Sequence, residues 1–345
     1  GEKIRVVTGQ AVSRINLKRN QLVLENKEQF SFDVLVLADL GSPRFNEIKG
    51  IQKHGVYHAA RLDKVREIMD QMIFAQTIVL QLSNIQGFLT LCALSQYAKE
   101  IIVTCSQESL LGGLLDGECS SMLKQFLEMK GMRLLMGTSI EEILGDSDLK
   151  AVRLTSGKVL SAEMVVLDDL RCDTRILKET GLEYQAQQDG GMSYRSNMAN
   201  VFWVDAVKRA YCEPDKNHYD VLDKTLENQA MQLVSEIFNA SQPSMAQETR
   251  FVLRFAFKDM KGCWFGNAMG GPDVQEHSRY DPESNVYMKF FLNQGRLTGG
   301  FVMGHETVCE KCVTLFENQA VIQAIEEELF GEFREKVLVD AQQQG

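Results

Sequence analysis

Apolar and polar positions alternate from the start of the chain. Over residues 4–38, Val12, Ile15, Leu17, Leu22, Leu24 and Phe30 supply an apolar side, and Lys18-Arg19-Asn20 fits a hairpin turn. Phe32–Ala38 is a continuous apolar run, which predicts a strand buried on both faces. Gly41-Ser42-Pro43 ends it. Residues 60–74 read as a helix with Leu62, Val65, Ile68, Met69 and Met72 on one face.

A strand-helix-strand unit follows. Thr77–Leu82 is its first strand, residues 86–98 its helix and Ile101–Thr104 its second strand. A helix is predicted over 117–130, ending at Gly131, then strands near 132–136, 139–144, 149–154, 158–161 and 164–167. Alternating strands and helices of this length argue for a parallel sheet. Residues 173–180 read as a helix, 185–198 as a polar loop, 219–238 as a long helix and Ser241–Ser244 as a linker. Strands near 250–257, 261–267, 285–292 and 296–303 predict an antiparallel sheet, closed by helices over 306–318 and 320–330.

The 345 residues fit two or three domains, and the apolar share of 44% is ordinary for a folded protein. The net charge of −10 repels phosphate backbones, so no nucleic-acid partner is expected. No apolar run reaches the roughly 18 residues a membrane span needs. The opening Gly1–Arg5 carries no secretory signal, and eight cysteines are scattered, so a cytoplasmic chain with reduced thiols is expected.

Four stretches carry a resemblance. Asp33-Val34-Leu35-Val36-Leu37-Ala38-Asp39-Leu40-Gly41-Ser42-Pro43-Arg44 resembles a strand ending in Ala-Thr-Gly-Ser-x-Pro-Arg. Residues 78–93 resemble a nucleotide-binding strand-turn-helix whose G-x-G-x-x-G positions fall on Leu82, Asn84 and Gly87. Gly181-Leu182, Asp189–Met192 and Val201–Ala206 resemble a "Gly-Leu … Gly-x-Ile-x-Val" region followed by "Ile-Tyr-Ala-x-Gly-Asp". Residues 285–304 resemble a C-terminal hairpin, the most intact of the four. Together they are similar to the FAD-dependent pyridine nucleotide-disulfide oxidoreductase superfamily, in its rubredoxin, nitrite and ferredoxin reductase branch.

The resemblance implies an α/β fold. A remnant FAD domain would be interrupted by a Rossmann-like NAD(P)H-type domain and followed by a C-terminal α+β interface domain. The expected boundaries are 1–60 and 166–242 for the FAD-type parts, 61–165 for the NAD(P)H-type domain and 243–345 for the interface domain. The family's first FAD-binding segment would precede residue 1, so the chain would be a fragment, or that half would come from another polypeptide, or it would have been lost.

The same resemblance implies the candidate site. Ala38, Gly41, Arg44 and Asp205 would face FAD, and Asn84 and Gly87 would face NAD(P). Three of them have a plainer alternative: Gly87 packs a helix on a strand, Asp205 is a polar strand end beside Val204, and Arg44 is solvated. Asp39 and Leu40 stand where the family has a small Thr-Gly pair, and only Gly87 keeps its glycine. The second strand ends in Thr104-Cys105-Ser106, with Glu108 nearby, where a ribose-binding acid is expected.

Cys309 and Cys312 form a C-x-x-C that could be a redox dithiol or, with His305, Cys263 or His277, a metal site; plain helix thiols are the leading reading. Asp168 and Asp169 form a carboxylate pair at a strand end, expected in a solvated turn. Met122, Met129, Met132 and Met136 read as core filler. Glu326–Glu328 reads as the solvated face of an amphipathic helix that docks through Ile322, Ile325, Leu329 and Phe330.

Altered nucleotide-contact points in a foldable chain lead to the first functional expectation. It is a pseudoenzyme of this family, holding no cofactor and acting as an assembly or partner-binding module. It would meet a protein partner or form a homodimer through the C-terminal domain. The alternative is an active FAD-dependent NAD(P)H reductase passing electrons to a small redox protein.

Overall fold

A bulged hairpin opens the fold, because its apolar side chains alternate and its turn can close tightly. The computed structural model describes residues 4–38, 42–43, 48–58, 65–97, 100–168, 170–171, 179–183, 195–204, 223–238, 251–304 and 306–331. Strands β1 (Val12–Asn16), β2 (Gln21–Leu24) and β3 (Gln29–Ser31) form an antiparallel sheet. The Asn16 side chain accepts from the Arg19 amide, and Asn20 sits at φ 48°, a left-handed turn position that asparagine tolerates. Strands β4 (Leu35–Leu37) and β5 (Ser42–Pro43) follow.

The chain then builds a parallel α/β layer. Its elements are β6 (Val56–His58), α1 (Val65–Met72), β7 (Thr77–Gln81), α2 (Ile85–Ser95), β8 (Glu100–Thr104), α3 (Gly117–Met129) and β9 (Arg133–Leu135). Strands β10 (Ile140–Leu144), β11 (Ala151–Leu154) and β12 (Val159–Ser161) make a separate antiparallel sheet, and β13 (Met164–Leu167) rejoins the parallel one. The parallel order is β6-β13-β7-β8-β9. Successive side chains split between its faces. Ile78, Leu80, Ile101, Val103, Met164 and Val166 join the core that contains Phe88 of α2 and Leu123 of α3. Val79, Ile102, Val165 and Leu167 pack on Ile140, Val152 and Leu160 of the antiparallel sheet. Burial on both faces explains why these strands are unbroken apolar runs.

Next come β14 (Leu170–Arg171), paired with β5, and β15 (Val201–Trp203), parallel to β4. Helix α4 (Asp223–Phe238) follows. Here the strand over 32–38 departs from expectation. Leu35 enters a small core with Ile15, Leu182, Val201 and Trp203. Val34 and Val36 stay 44% and 38% exposed. The cause is pairing: among the described residues β4 has one neighbour, β15, and one packed face.

The last stretch folds as β16 (Val252–Phe257), β17 (Met260–Gly266), β18 (Gln275–Asp281), β19 (Val286–Asn293), β20 (Arg296–Met303) and helix α5 (Glu306–Glu317). The antiparallel order is β16-β17-β20-β19-β18. Strand β18 was not anticipated, since Gln-Glu-His-Ser-Arg-Tyr-Asp carries no apolar alternation; pairing with β19 makes it a strand at the sheet edge. The expected helix over 320–330 shrinks to Ile325–Glu328, because Val321 bridges Arg296 and the Ile322 amide donates to the Gly295 carbonyl at 2.7 Å. Both sheet faces are covered: Phe255, Phe257, Tyr287 and Phe301 face the α2/α3 core, and Phe265, Met288 and Phe290 face α5.

By contact, the chain divides into two units, Gly1–Arg44 with Leu170–Thr249, and Phe45–Asp169 with Arg250–Gly345. The parallel sheet and the C-terminal antiparallel sheet share the second unit.

Candidate functional site

In an open α/β sheet, ligands bind beyond the carboxyl ends of the strands, where neighbouring connections diverge. Strand β7 meets that condition, with β8 on one side and β13 on the other. Buried polar side chains gather along this edge: His58 ends β6, Gln81 ends β7, Thr104 ends β8, and Asp168 follows β13. Gln81 Oε1 accepts from the Ile140 amide at 2.9 Å. The Leu82 amide donates to the Thr104 carbonyl at 2.8 Å, and the Leu82 side chain is fully buried in the core.

The turn from β7 into α2 is closed from within. Asn84 is the N-cap of α2; its Oδ1 accepts from the Gly87 amide at 3.0 Å. Its Nδ2 donates to the Asp168 carbonyl at 3.1 Å. The register Leu167↔Gln81 brings Asp168 alongside this turn. Asp168 Oδ2 accepts from the Ser83 amide at 2.6 Å and from the Asn84 amide at 3.2 Å. Asp168 is 1% exposed, so the expected solvated turn is wrong here. A helix N-terminus offers amides and a positive dipole end, and Asp168 takes both.

Gly87 is where the two elements touch. A Cβ on Gly87 would lie 1.9 Å from Asp168 Oδ2. The glycine makes room for a carboxylate that belongs to the protein. A dinucleotide pyrophosphate does not fit this turn. The amides of Ser83, Asn84 and Gly87 already serve side chains. Like charges 4 Å apart at an effective permittivity of ~20 also repel by about 4 kcal/mol.

Ala38 follows β4 at an exposed position. Gly41, Arg44, Asp205, Asp169 and His305 lie outside the described residues. At the end of β8, Cys105 is buried while Ser106 and Glu108 are exposed. Cys309 and Cys312 lie on the buried face of α5, beside Cys263. A hydrogen bond with Cys309 and burial both push the Cys263 thiol upward. Burial pushes Cys92 up to about 12. Thiols held protonated are poor nucleophiles and ligands. Among the described residues, no group of three or more His, Cys, Asp or Glu is placed to hold a metal ion.

A second buried charge was not singled out from sequence. Lys289 lies on β19, on the strand face shared with Tyr287 and Phe291, and is 4% exposed. Its Nζ meets Asp116 at 2.5 Å, Glu118 at 2.7 Å and Glu276 at 2.9 Å. Asp116 also caps α3, accepting from the Cys119 amide at 2.7 Å. Burial opposes ionisation of Asp116 and Glu118, but the Lys289 ammonium outweighs it and holds both carboxyls below their ordinary range.

The family described as pyridine nucleotide-disulphide oxidoreductase matches residues 1–219. The assimilatory nitrate reductase electron transfer subunit of Bacillus subtilis is 23% identical over 164 residues, which make up 48% of this chain and 21% of that one. The chain spans less than half the length of the curated relatives it matches. The covalent putidaredoxin reductase–putidaredoxin complex superposes with a TM-score of 0.69 at 14% identity, over 91% of this chain and 76% of that one. An FAD-dependent pyridine nucleotide-disulphide oxidoreductase from Desulfovibrio vulgaris superposes with a TM-score of 0.64 at 15% identity, over 92% and 84%. These likenesses agree with the α/β layer and the C-terminal antiparallel sheet. Among the described residues, no helix is long and apolar enough to cross a membrane.

Proposed function

We propose that this chain, which belongs to the pyridine nucleotide-disulphide oxidoreductase family, is a non-catalytic assembly or partner-binding module. It keeps the family's scaffold, holds neither FAD nor NAD(P)H, and works in the cytoplasm, where free cysteines stay reduced. The carrying observation is the β7–α2 turn, whose Ser83, Asn84 and Gly87 amides are spent on the protein's own side chains. Asp39 and Leu40, in place of the small pair that approaches a flavin, support the same reading. Function in such a fold lies in the site rather than the scaffold, and here the site is closed.

A protein partner or a second copy would meet the C-terminal domain. Both faces of its sheet are already covered, so the outer side of α5 and the sheet edges remain for docking. Light scattering of the purified chain tests self-association, and affinity purification from the native source tests a partner. A strictly monomeric chain that retains no protein would count against the module.

A second reading is an active FAD-dependent NAD(P)H reductase serving a small redox protein. The likeness to a reductase solved in covalent complex with putidaredoxin favours it. The absorbance spectrum with added FAD separates the readings. A band near ~450 nm that bleaches with NADH would establish the reductase, since that chemistry belongs to the flavin. A protein that stays colourless supports the module.

A further inference from the structure

We infer that Asp168 is a tethered anion standing where a nucleotide phosphate would bind, and that this one side chain excludes dinucleotides from the β7–α2 turn. The inference rests on the non-catalytic reading and names the device behind it. Three observations on different elements converge. The carboxylate is held by the Ser83 and Asn84 amides, the donors a phosphate would use. Gly87 leaves a space that the carboxylate fills, since a Cβ there would sit 1.9 Å from Oδ2. Asp168 is 1% exposed, so it cannot swing into solvent without uncovering the turn.

The other altered position does not block the mouth. Leu82 points into the core, and its amide continues the strand pattern to Thr104. Asn84 keeps the Gly87 amide as an ordinary N-cap. Shortening Asp168 therefore frees two amides and removes one negative charge. That is enough for a terminal phosphate of a nucleoside diphosphate, and less than a full pyrophosphate cradle.

The test uses the whole chain with ADP as probe. Asp168→Ala and Asp168→Ser are compared with wild type by isothermal titration calorimetry and by thermal melting with and without ADP. Each folded variant is expected to bind ADP at least tenfold more tightly than wild type. Its melting temperature should fall without ADP and recover in part with it, while wild type does not respond. Folded variants that gain no ADP binding would overturn the inference, as would a wild type that binds equally well. A further measurement needs no variant: in amide NMR of wild type, the Ser83 and Asn84 resonances should stay fixed as ADP is added. Movement of those two resonances would overturn it. Failure of the functional reading is distinguishable, because it would appear as NADH oxidation by wild type with ferricyanide as acceptor, whatever the variants do.

Discussion

Among its described residues the second unit buries the Asp168 carboxylate and the Lys289 ammonium, and they are neutralised in opposite ways. Asp168 is held by backbone amides at a helix N-terminus, within one strand-turn-helix and the strand beside it. Lys289 is held by three carboxylates from the α3 N-terminus, β18 and the segment before α3. Amide partners carry partial charges that do not titrate. Carboxylate partners titrate, and they belong to the parallel layer and to the antiparallel sheet alike, so the second site couples both layers to pH. The capped β7–α2 turn and the Lys289 cluster are thus built from the same need, that a buried charge be paired.

The largest break in this contrast is Lys289→Met. It leaves Asp116, Glu118 and Glu276 facing one another without their cation. Losing one partner of a buried pair costs about 3–5 kcal/mol, to be read from chemical denaturation. A loss under about 1 kcal/mol would mean that solvent already screens the cluster.

Gly87→Ala comes next. The added methyl collides with the Asp168 carboxylate, and overpacking of this kind costs about 1–3 kcal/mol. In an Asp168→Gly background the three nearest atoms that the methyl would meet are gone, and alanine in a helix gains about 0.5–1 kcal/mol over glycine. A double-mutant cycle should therefore change the sign of the Gly87→Ala effect. The same sign in both backgrounds would show that Gly87 serves another contact.

Asp168→Asn keeps an oxygen for the Ser83 and Asn84 amides but removes the charge. Replacing charge-assisted with neutral hydrogen bonds should cost about 1 kcal/mol. Thermal melting at pH 7 measures it.

The smallest effect is on pH dependence. Asp116 and Glu118 have folded values below their ordinary 3.8 and 4.5. Groups depressed on folding add stability that is present above the unfolded value and lost as pH falls through the folded one. Wild type should therefore weaken below about pH 4.5. Lys289→Met should flatten that acid limb relative to wild type in urea titrations at pH 3 and 6.

Local pattern made the fold class readable. The apolar runs at 77–82, 101–104 and 164–167 become adjacent parallel strands, and the runs near 252–257 and 286–303 become the antiparallel sheet. A strand buried on both faces must be apolar throughout, and that requirement is written in consecutive residues. The altered turn positions Leu82 and Asn84 were also legible, because a glycine fingerprint is local.

Tertiary structure decided the rest. Strand β18 has no pattern of its own and exists because β19 pairs with it. Val34 and Val36 are apolar yet exposed, since burial depends on what packs above a strand. Asp168 reads as a solvated acid until β13 is set beside β7, more than eighty residues earlier in the chain. Lys289 reads as a polar interruption in a strand until Asp116, Glu118 and Glu276 converge on it. Periodicity reports which side chains want to leave water, while the partner of a buried charge is chosen by strand register and layer packing, and neither is encoded near the residue itself.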